Sequence, residues 1–484
     1  MTDNPTTRKA NLLSYIDDGK GSRIFHLALR GIDTFTFTDF QGTNPIGDIV
    51  ISCDYGDDHE AMKKLGPSMQ SITLEESLGY HRDWSTDDLD RIPDLPAFQQ
   101  LISSASIQRP ILLVPFKNTP NVEGLRGNGV NVLSPPYSLV HFYDSKIKLL
   151  SILKESGIDQ IPGEIVRREE LTANKYLQLK QRYGSKLVAQ TEFSGGGSGT
   201  FFVNSIKGIE DILNLEFKEV KISKFINGPT FNGQACTLRT TDGERTLVFN
   251  PSFQIIGLPD ITDWPSYYCG NDFSGALAYL GETAMQQYIS IMDRLGNHMA
   301  SNGWKGMFGV DLIYDSSENK MYVLEINPRM QASTSFLHLL QEEKGMIGIG
   351  TWHLLAFLAK EPLPADLVKQ EIVDLRGSHV LINNRTGEDV QLRGGLDAGV
   401  YTYNHRSNHR GLTLVQPHYW RHLQGREILI TCGVPVPSGG TFVENHATML
   451  KLYTPMEALN RETFNSLTPN MAAVVNEVYS KLGF

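Results

Sequence analysis

The pattern of apolar and polar positions predicts a mixed α/β (α+β) chain. In the first 140 residues, short apolar runs typical of strands alternate with polar or helical stretches. These strand candidates are Thr34–Phe40, Asp48–Ser52, Ile111–Pro115 and Val130–Leu133. The alternation is typical of a small α/β domain. Because no G-x-G-x-x-G sequence follows any of the runs, dinucleotide binding has no support here.

A second group of elements is predicted between residues 141 and 360. Helical spacing predicts a helix at Ser145–Ser156, with Asp144 as its N-cap and Gly157 as its stop, and a long amphipathic helix at Gly275–Asn302. The strand candidates are Leu187–Thr191, Phe201–Asn204, Lys221–Thr230, Gly233–Leu238 and Gly306–Tyr314. Lys146 would lie in the first turn of the first helix, where the helix dipole does not favour a cation, so it is either solvated or turned toward an external anion.

A proline-containing linker at Glu361–Pro364 introduces a β-rich end of the chain. The elements expected there are strands at Val380–Asn383, Val400–Tyr403, Leu412–Val415 and Ile428–Cys432, and a helix at Asn470–Leu482. At 484 residues the chain is long for one hydrophobic core. We therefore expect three parts, at residues 1–140, 141–360 and 361–484.

Composition and charge narrow the classes of function. The formal net charge is -10 and no basic patch offsets it, which argues against nucleic acid or an anionic membrane as the main partner. The four cysteines, Cys53, Cys236, Cys269 and Cys432, lie far apart, which suits a reducing cytosol. Since the N-terminus is polar and no long apolar run follows, we expect a soluble, cytoplasmic protein.

Candidate chemistry is concentrated in the stretch Tyr322–Ser335. Glu325 and Asn327 lie two positions apart in an apolar run, so on a strand both side chains point to the same face. Burying them costs on the order of several kcal/mol unless something pairs with them, and Mg²⁺ is a natural partner for such oxygens. Pro328 then ends the strand, and Arg329 follows it in a position to hold an anion.

The preceding predicted strand carries one carboxylate, Asp311. A hairpin that pivots on Glu318 would place Asp311 opposite Glu325, whereas a slip of one residue would turn Asp311 to the other face. Residues 306–329 are thus a candidate metal-binding hairpin. The alternative is a buried strand in which the glutamate pairs with Arg329 and the asparagine caps a turn.

A glycine-rich stretch, Ser194–Thr200, lies between two predicted strands. Without Cβ atoms its backbone can approach a phosphate and present N–H groups, so we interpret it as a hairpin flap over a ligand. A flexible linker would have a similar composition. The stretch is not a Walker loop, because G-K-[ST] is absent.

Two polar clusters near other loops have simpler interpretations. His405, His409, His418 and His422 form two pairs at i, i+4, a spacing that binds zinc on a helix, but Gly411 and Pro417 favour loops. The basic and aromatic side chains beside them, Arg406, Arg410, Tyr419, Trp420 and Arg421, either line a substrate entrance or are solvated. The cluster Asp54, Asp57, Asp58 and His59 is interpreted as a solvated turn.

The order of these features resembles the ATP-grasp ligases over residues 105–360: a lysine near a helix start, a glycine-rich hairpin, a strand, a long helix and D…E-x-N-P-R. The resemblance implies an ATP-grasp fold with an N-terminal pre-grasp α/β domain and a β-rich C-terminal domain. It implies that Asp311, Glu325 and Asn327 hold one or two Mg²⁺, with Mn²⁺ as an alternative. It also implies catalytic roles for Lys146, which would contact the ATP phosphates, and for Arg329, which would steady the transferred phosphoryl group or the acyl phosphate. The implied nucleotide contacts are Lys146, Gln190, Gly195, Gly196, Gly197, Ser198, Gly199, Lys224, Phe225 and Ile226. Residues Gln331, Ser333 and Thr334 would face the acyl substrate.

Two positions depart from that family pattern. Many members have a lysine where this chain has Gln190, and an acidic residue where it has Ser223 and Lys224. The glutamine, the flap and the long C-terminal segment resemble peptide ligases of the pheganomycin type, which join amino acids or peptides in secondary metabolism.

The resemblance implies ATP-dependent coupling of a carboxylate to an amine through an acyl phosphate, with release of ADP and phosphate. The partners would be a small-molecule acid and an amine, such as an amino acid or a peptide, and a homodimer is left open. One alternative is a biotin-carboxylase-like enzyme, suggested by N-P-R-M-Q, although no carrier-domain signature is attached. Another is a nucleotide-binding protein without turnover, suggested by Gln190 and the altered strand near Lys224.

Overall fold

The computed structural model describes residues 5–16, 23–40, 49–52, 70–78, 84–106, 110–127, 129–404, 411–417, 423–431 and 441–484. The N-terminal region contains strands β1 (Arg23–Ala28), β2 (Ile49–Ser52), β3 (Gln70–Thr73), β4 (Ile111–Pro115) and β5 (Val130–Val132). Its helices are α1 (Pro5–Leu13), α2 (Leu74–Leu78), α3 (Pro96–Ser106) and α4 (Pro120–Glu123). The strands form one parallel sheet in the order β3-β2-β1-β4-β5.

One predicted strand in this region is wrong. Thr34–Phe40 lies within a 3₁₀ helix at Gly31–Phe40. Thr34 Oγ1 donates to a backbone carbonyl three residues earlier over 2.7 Å, and such local bonds give the backbone an alternative to a strand ladder. Phe35 and Phe37 are nevertheless buried. The alternation of polar and apolar residues therefore predicted burial correctly and the backbone conformation incorrectly.

Four α-helices and a small antiparallel sheet follow. The elements are α5 (Tyr137–Asp144), α6 (Leu149–Glu155), β6 (Gly163–Arg167), α7 (Ala173–Tyr183), β7 (Leu187–Thr191), β8 (Thr200–Val203), α8 (Ile206–Leu213) and β9 (Glu219–Lys224). The strands lie in the order β6-β9-β7-β8, and residues 163–224 form what we call the small lobe. The predicted helix Ser145–Ser156 begins later than expected, at Leu149. Asp144 is the last residue of α5 and is not the N-cap of α6.

Most of the remaining strands build one large antiparallel sheet. The remaining elements before residue 360, in chain order, are β10 (Thr230–Thr240), β11 (Gly243–Val248), β12 (Ser252–Ile256), β13 (Tyr268–Asp272), α9 (Ala276–Ser301), β14 (Gly306–Asp315), β15 (Lys320–Asn327), α10 (Thr334–Glu343) and α11 (Ile349–Leu358). The elements after residue 360 are β16 (Ser378–Asn383), β17 (Val390–Leu392), β18 (Gly399–Asn404), β19 (Gly411–Pro417), β20 (Glu427–Thr431), β21 (Thr441–Val443), β22 (Thr448–Thr454) and α12 (Pro469–Leu482). Strands β17 and β21 pair with each other in a separate two-stranded sheet, and the other five strands belong to the large sheet.

This large sheet is continuous across the linker. The strand order is β15-β14-β10-β12-β13-β16-β22-β20-β18-β19, with β11 paired to β10. The junction is the pairing of β13 with β16, for example Gly270 with Val380. The strands after residue 360 therefore extend the sheet that carries the candidate hairpin, and the boundaries at residues 140 and 360 stay a proposal.

A shared hydrophobic core positions the hairpin against the N-terminal sheet. Phe25 and Leu113 of that sheet belong to the same buried cluster as Phe336 of α10 and Trp352 of α11. Both helices follow β15 directly in sequence. Burial of these side chains thus fixes the end of β15, with its candidate ligands, relative to the N-terminal region.

The expected fold class, mixed α/β, is confirmed. The predicted strands at Ile111–Pro115 and Leu187–Thr191 have the observed bounds, and the long helix differs from its prediction by one residue at each end. Among the described residues, no helix combines the length and the apolar character that crossing a membrane requires.

His353 of α11 joins the N-terminal sheet to β14. Its Nδ1 accepts a hydrogen bond from Met307 N at 3.1 Å, so its Nε2 carries the proton and donates to Leu133 O at 3.0 Å. Burial lowers the pKa of His353 from 6.5 to about 4. The folded protein therefore holds this ring neutral, while the unfolded chain protonates it near its ordinary pKa.

Replacing His353 with Gln should flatten the dependence of stability on pH. The neutral ring contributes stability above the unfolded pKa, and about 3 kcal/mol of it is lost as the pH falls through the folded pKa. The amide of Gln can donate and accept but does not titrate in this range. The free energy of unfolding from urea titrations, measured at several pH values between 7 and 4, should fall less in H353Q than in the wild type.

Exposed His141 supplies the matched control, because H141Q should leave the pH dependence unchanged. Other buried histidines titrate equally in both proteins, so they cancel in the difference between variant and wild type. Parallel stability curves for H353Q and the wild type would contradict this prediction.

Candidate active site

The hairpin β14–β15 brings the predicted metal ligands together. Asp311 pairs directly with Glu325, as predicted, and Asn327 lies on the same face two residues beyond. Asn327 is almost fully buried, whereas the Glu325 side chain is 24% exposed. Three oxygen-bearing side chains therefore converge at the end of one hairpin.

A β-bulge produces this alignment. Near the turn the ladder is shifted by one residue from the register that a pivot on Glu318 would give, so that simple pivot is wrong. The register changes between Asp311 and Leu312, which leaves Leu324 as the extra residue of β15. Without the bulge, Asp311 would lie opposite Leu324, and Glu325 would point to the other face.

The two facing carboxyl groups compete for a proton. Burial, followed by the negative charge of Glu325, raises the pKa of Asp311. Burial also acts to raise the pKa of Glu325, but the charge of Lys146, a hydrogen bond from Asp311 and the charge of Arg329 outweigh it and hold that pKa below its usual value. Asp311 therefore keeps its proton to higher pH than its partner does.

Lys146 links this carboxyl pair to the flap. It lies in the turn between α5 and α6, so its predicted place in the first turn of a helix is wrong. Its Nζ is 3.0 Å from Glu325 Oε2 and donates to Ser194 O and Oγ at 3.1 and 3.3 Å. The side chain is only 5% exposed. One buried ammonium group thus contacts both the hairpin and the base of the flap.

Arg329 contacts the asparagine of the hairpin. Its Nη1 donates to Asn327 Oδ1 at 2.7 Å. Within the part of the chain that the structure describes, Arg329 Nε is buried and has no hydrogen-bond partner. Glu325 forms its ion pair with Lys146, so the alternative pairing of Glu325 with Arg329 is not observed. Arg329 therefore retains a donor for an anion.

The glycine flap is closed over the large sheet. Gly196 and Gly197 have φ angles of 60° and 87°, which favour glycine. Tyr268 N donates to Gly196 O at 3.1 Å, and Ser266 Oγ donates to Gly197 O at 3.1 Å. The flap is thus a docked hairpin tip between β7 and β8. These contacts do not fit the alternative interpretation of the glycine-rich stretch as a flexible linker.

The other predicted nucleotide contacts lie along one cavity wall. Gln190 is buried on β7 and lines the cavity, as do Lys224, the last residue of β9, and Phe225 and Ile226, which follow it. The Lys224 ammonium lies 3.4 Å from Glu318 Oε1 in an exposed pair at the hairpin turn. The Lys224 ammonium therefore takes part in an ion pair at the surface, although the residue also lines the cavity.

Asn232 is a site residue that the sequence did not single out. It pairs with Asp311 between β10 and β14, and its Nδ2 donates to Asp311 Oδ1 at 2.8 Å. Gln234 lies two residues further on the same face of β10. The signal that could have found them is the same one that identified the hairpin: two polar residues at i and i+2 in an apolar strand.

The three residues expected to face an acyl substrate are divided by the structure. Gln331 and Ser333 line the cavity, and Gln331 Nε2 donates to Asp311 Oδ1 at 3.4 Å. Thr334 is fully buried and donates to Gln234 Oε1 at 2.7 Å. Thr334 is therefore part of a buried polar network beside the cavity and does not line the cavity itself.

Most of these groups line one cavity of about 1170 Å³, whereas Lys146, Gln234 and Thr334 are not among its lining residues. Its walls include the flap, the hairpin end, and Arg30, Trp84 and Phe116 of the N-terminal region. Typical pockets for one drug-sized ligand hold roughly 300–1,000 Å³. The volume is therefore sufficient for a nucleotide together with a second substrate.

The residues present fit a divalent cation and a polyphosphate. Two carboxyl groups that compete for one proton, with an amide beside them, offer the hard oxygen ligands that Mg²⁺ prefers. The buried Nε of Arg329, which has no partner among the described residues, suits an anionic ligand. No group of three or more His, Cys, Asp or Glu side chains suited to a metal occurs in the described part of the chain, so the candidate ligand set depends on the asparagine.

Several predicted features lie outside the described residues. These are His405, His409, His418 and His422, their neighbours Arg406, Arg410, Tyr419, Trp420 and Arg421, and the cluster Asp54, Asp57, Asp58 and His59.

Comparison with known sequences identifies relatives over the central region. A profile of the ATP-grasp domain family matches residues 143–333. The chain is 22% identical over 261 residues to a [butirosin acyl-carrier protein]–L-glutamate ligase of Niallia circulans, covering 53% of this chain and 57% of that protein. It is 24% identical over 213 residues to the carbamoyl phosphate synthase large chain of Thermoanaerobacter sp. strain X514, covering 43% of this chain and 18% of that one. The matched region is thus just over half of the first relative and under a fifth of the second.

Comparison with solved structures shows the same fold over most of the chain. A biotin carboxylase from Campylobacter jejuni has a TM-score of 0.57 at 14% identity and covers 91% of this chain and 89% of its own. An N5-carboxyaminoimidazole synthase from Aspergillus clavatus, in complex with ADP, has a TM-score of 0.54 at 13% identity, covering 94% of this chain and 100% of its own. Identities this low show the fold alone. Together with the profile match, they establish that residues 143–333 of this chain form an ATP-grasp domain.

Proposed function

We propose that this protein is an ATP-dependent ligase that activates a carboxylate as an acyl phosphate and couples it to an amine, with release of ADP and phosphate. The observation that supports it most is that Lys146 and Arg329 both place positive charge beside Glu325 of the Asp311–Glu325 pair, at a cavity that the docked flap also lines. This is the distribution of charge that a metal-bound polyphosphate requires.

The roles of the chain's own residues follow from their positions. Bound ATP and Mg²⁺ would supply a transferable phosphoryl group whose charge is already partly neutralised. Asp311, Glu325 and Asn327 would hold the metal. Lys146 would orient the phosphates from the side of the flap, and the Nε of Arg329 would stabilise negative charge where the carboxylate is activated.

The closed flap would exclude water. An acyl phosphate hydrolyses when water reaches it, so a ligase has to cover the site before an amine arrives. The contacts of Gly196 with Tyr268 and of Gly197 with Ser266 would hold the flap in this closed position. Opening and closing of this hairpin tip would admit nucleotide and release ADP.

The acid and the amine would bind away from the flap. Gln331 contacts Asp311, and Ser333, Arg30 and Trp84 also line the cavity. We propose amino acids or short peptides as substrates, because the cavity is wide and is lined by both polar and aromatic groups. The pheganomycin-type assignment, the cytoplasmic location and a homodimer stay predictions.

A carboxylase that uses bicarbonate is the second candidate. The fold it would need is present, but fold likeness at 14% identity does not extend to the substrate. The two candidate reactions use different acid substrates, so the substrate screen includes bicarbonate. A nucleotide-binding protein without turnover would bind ADP and release no phosphate with any acid and amine.

Replacing Glu325 with Ala should abolish turnover. The change removes a metal ligand and the ion-pair partner of Lys146, so ADP formation should fall by at least about a hundredfold. Coupled-enzyme detection of ADP, in the presence and absence of each substrate, measures the effect. In the wild type, ADP release should require both an acid and an amine.

The substrate screen combines amino acids, short peptides and bicarbonate as acids with a panel of amines, and mass detection identifies the product. Glu282 on α9 is exposed and lies away from the cavity, so E282A serves as the charge-matched control and should keep wild-type activity. ADP formation at the wild-type rate in E325A would refute the assignment of the metal site.

Replacing Gly197 with Ala should prevent the flap from docking. Its φ of 87° costs an L-residue about 1–2 kcal/mol, and an added Cβ would overlap the backbone oxygen of Ser266. The Phe193 side chain is already 41% exposed, so chymotrypsin cleavage after it depends on how freely the backbone of the flap can move into the protease, and undocking should increase that freedom. The rate of cleavage after Phe193 should rise several-fold, and the KM for ATP should rise by about tenfold.

Gly195 provides a matched comparison within the same loop. No atom lies within 4 Å of a Cβ built at Gly195, so G195A should keep the flap docked and the cleavage rate close to that of the wild type. Equal cleavage rates for G197A and G195A would show that docking on Ser266 does not hold the flap closed.

A further inference from the structure

Lys221 is a buried cation in the site that the proposed mechanism does not use. It lies on β9, directly opposite Gln190 of β7 in the antiparallel ladder. Directly paired residues share a face, and alternate residues along a strand do so too. The neighbouring pair on that face, Val188 and Ser223, lines the cavity. Lys221 therefore projects from the ligand-facing side of the small lobe.

Its ammonium group reaches across to the hairpin. Lys221 Nζ donates to Leu324 O at 3.1 Å, and Leu324 is the bulged residue beside Glu325. The side chain is 4% exposed. Burial, followed by the charge of Lys146, lowers the pKa of Lys221, and the charge of Glu325 opposes this effect. The two ammonium groups and the carboxylate thus lie close enough to influence one another.

A purely structural role explains only part of this arrangement. Capping the carbonyl of a bulged residue requires one donor, which a neutral amide could supply. An ammonium group has three donors, and in the described residues Lys221 Nζ forms one hydrogen bond, to Leu324 O. Burying a second cation beside Lys146 is costly unless negative charge arrives to compensate it.

We propose that Lys221 is a second lysine contact for the polyphosphate of the nucleotide, presented by the sheet of the small lobe while Lys146 is presented by the turn before α6. This inference rests on the proposed function. Gln190, its neighbour on the same face, carries no charge, so Lys221 provides the positive charge on this face beside the flap. Because the same ammonium group contacts β15, a nucleotide bound by Lys221 would also hold the small lobe against the hairpin.

The test compares ligands that differ only in phosphate. Calorimetric titration of K221Q, K221R and the wild type with ADP plus Mg²⁺, and separately with adenosine, gives two dissociation constants for each protein. K221Q should bind ADP about tenfold more weakly and adenosine within about twofold of the wild type, while K221R should keep most of the ADP affinity. The ratio of the two constants is insensitive to a fraction of unfolded protein.

A swap across the strand pair tests whether the charge itself matters. In Q190K/K221Q the lysine moves to the opposite strand on the same face, so ADP binding should recover by several-fold over K221Q alone. Lys207 on α8 is exposed in the same lobe, and K207M controls for loss of a positive charge far from the cavity. K207M should bind both ligands as the wild type does.

Four outcomes would overturn the inference. They are ADP binding by K221Q at the wild-type level, an equal loss of ADP and adenosine binding, a swap as weak as K221Q, and an equal loss in K207M. Failure of the wild type to bind ADP at all would overturn the proposed function as well. Wild-type binding with an unaffected K221Q would remove only the role of Lys221.

Discussion

Two carboxyl groups held face to face cannot both ionise in a buried site without a cation beside them. Asp311 and Glu325 are such a pair, and Lys146 supplies the cation at 3.0 Å. The same ammonium group holds the base of the flap through Ser194. The ion pair that neutralises Glu325 therefore also fixes the turn before α6, which carries Lys146, and the first residue of the flap. Asp311 and Glu325 would hold a metal as two ionised carboxylates, and Lys146 would then be available to contact the phosphates.

How far the sequence could predict this site depends on the bulge. The spacing of Glu325 and Asn327 on an apolar strand was enough to place both on one face, because the period of a strand is two. Their alignment with Asp311 was predicted from a uniform hairpin, and a uniform hairpin with the observed turn would have misaligned them. The extra residue Leu324 restores the pairing. A bulge depends on contacts with other strands, so neither its presence nor its position could be read from the local pattern.

The same distinction between local pattern and remote contact applies to the fold. Long or strongly periodic elements such as α9 and β7 were predicted within one residue, since their own side chains define them. Thr34–Phe40 was predicted incorrectly, because hydroxyl groups bonding to nearby carbonyls outweighed an alternation that suited a strand. The continuity of the large sheet across residue 360 could not be predicted from the sequence for another reason. A linker signal describes only the chain between two elements, and it does not reveal that β13 and β16 pair with each other.

Gln190 shows how a missing charge in a motif can mislead. A ligand contacts a face of a sheet, and that face is built from neighbouring strands whose paired residues lie side by side. A position on β7 and its partner on β9 are far apart in sequence but are nearly equivalent for a phosphate above them. The absence of a lysine at Gln190 therefore does not imply a neutral site, since Lys221 lies in the paired position with its ammonium beside the hairpin. Charge has to be counted over the face that the ligand meets, and pairing between strands determines which residues belong to that face.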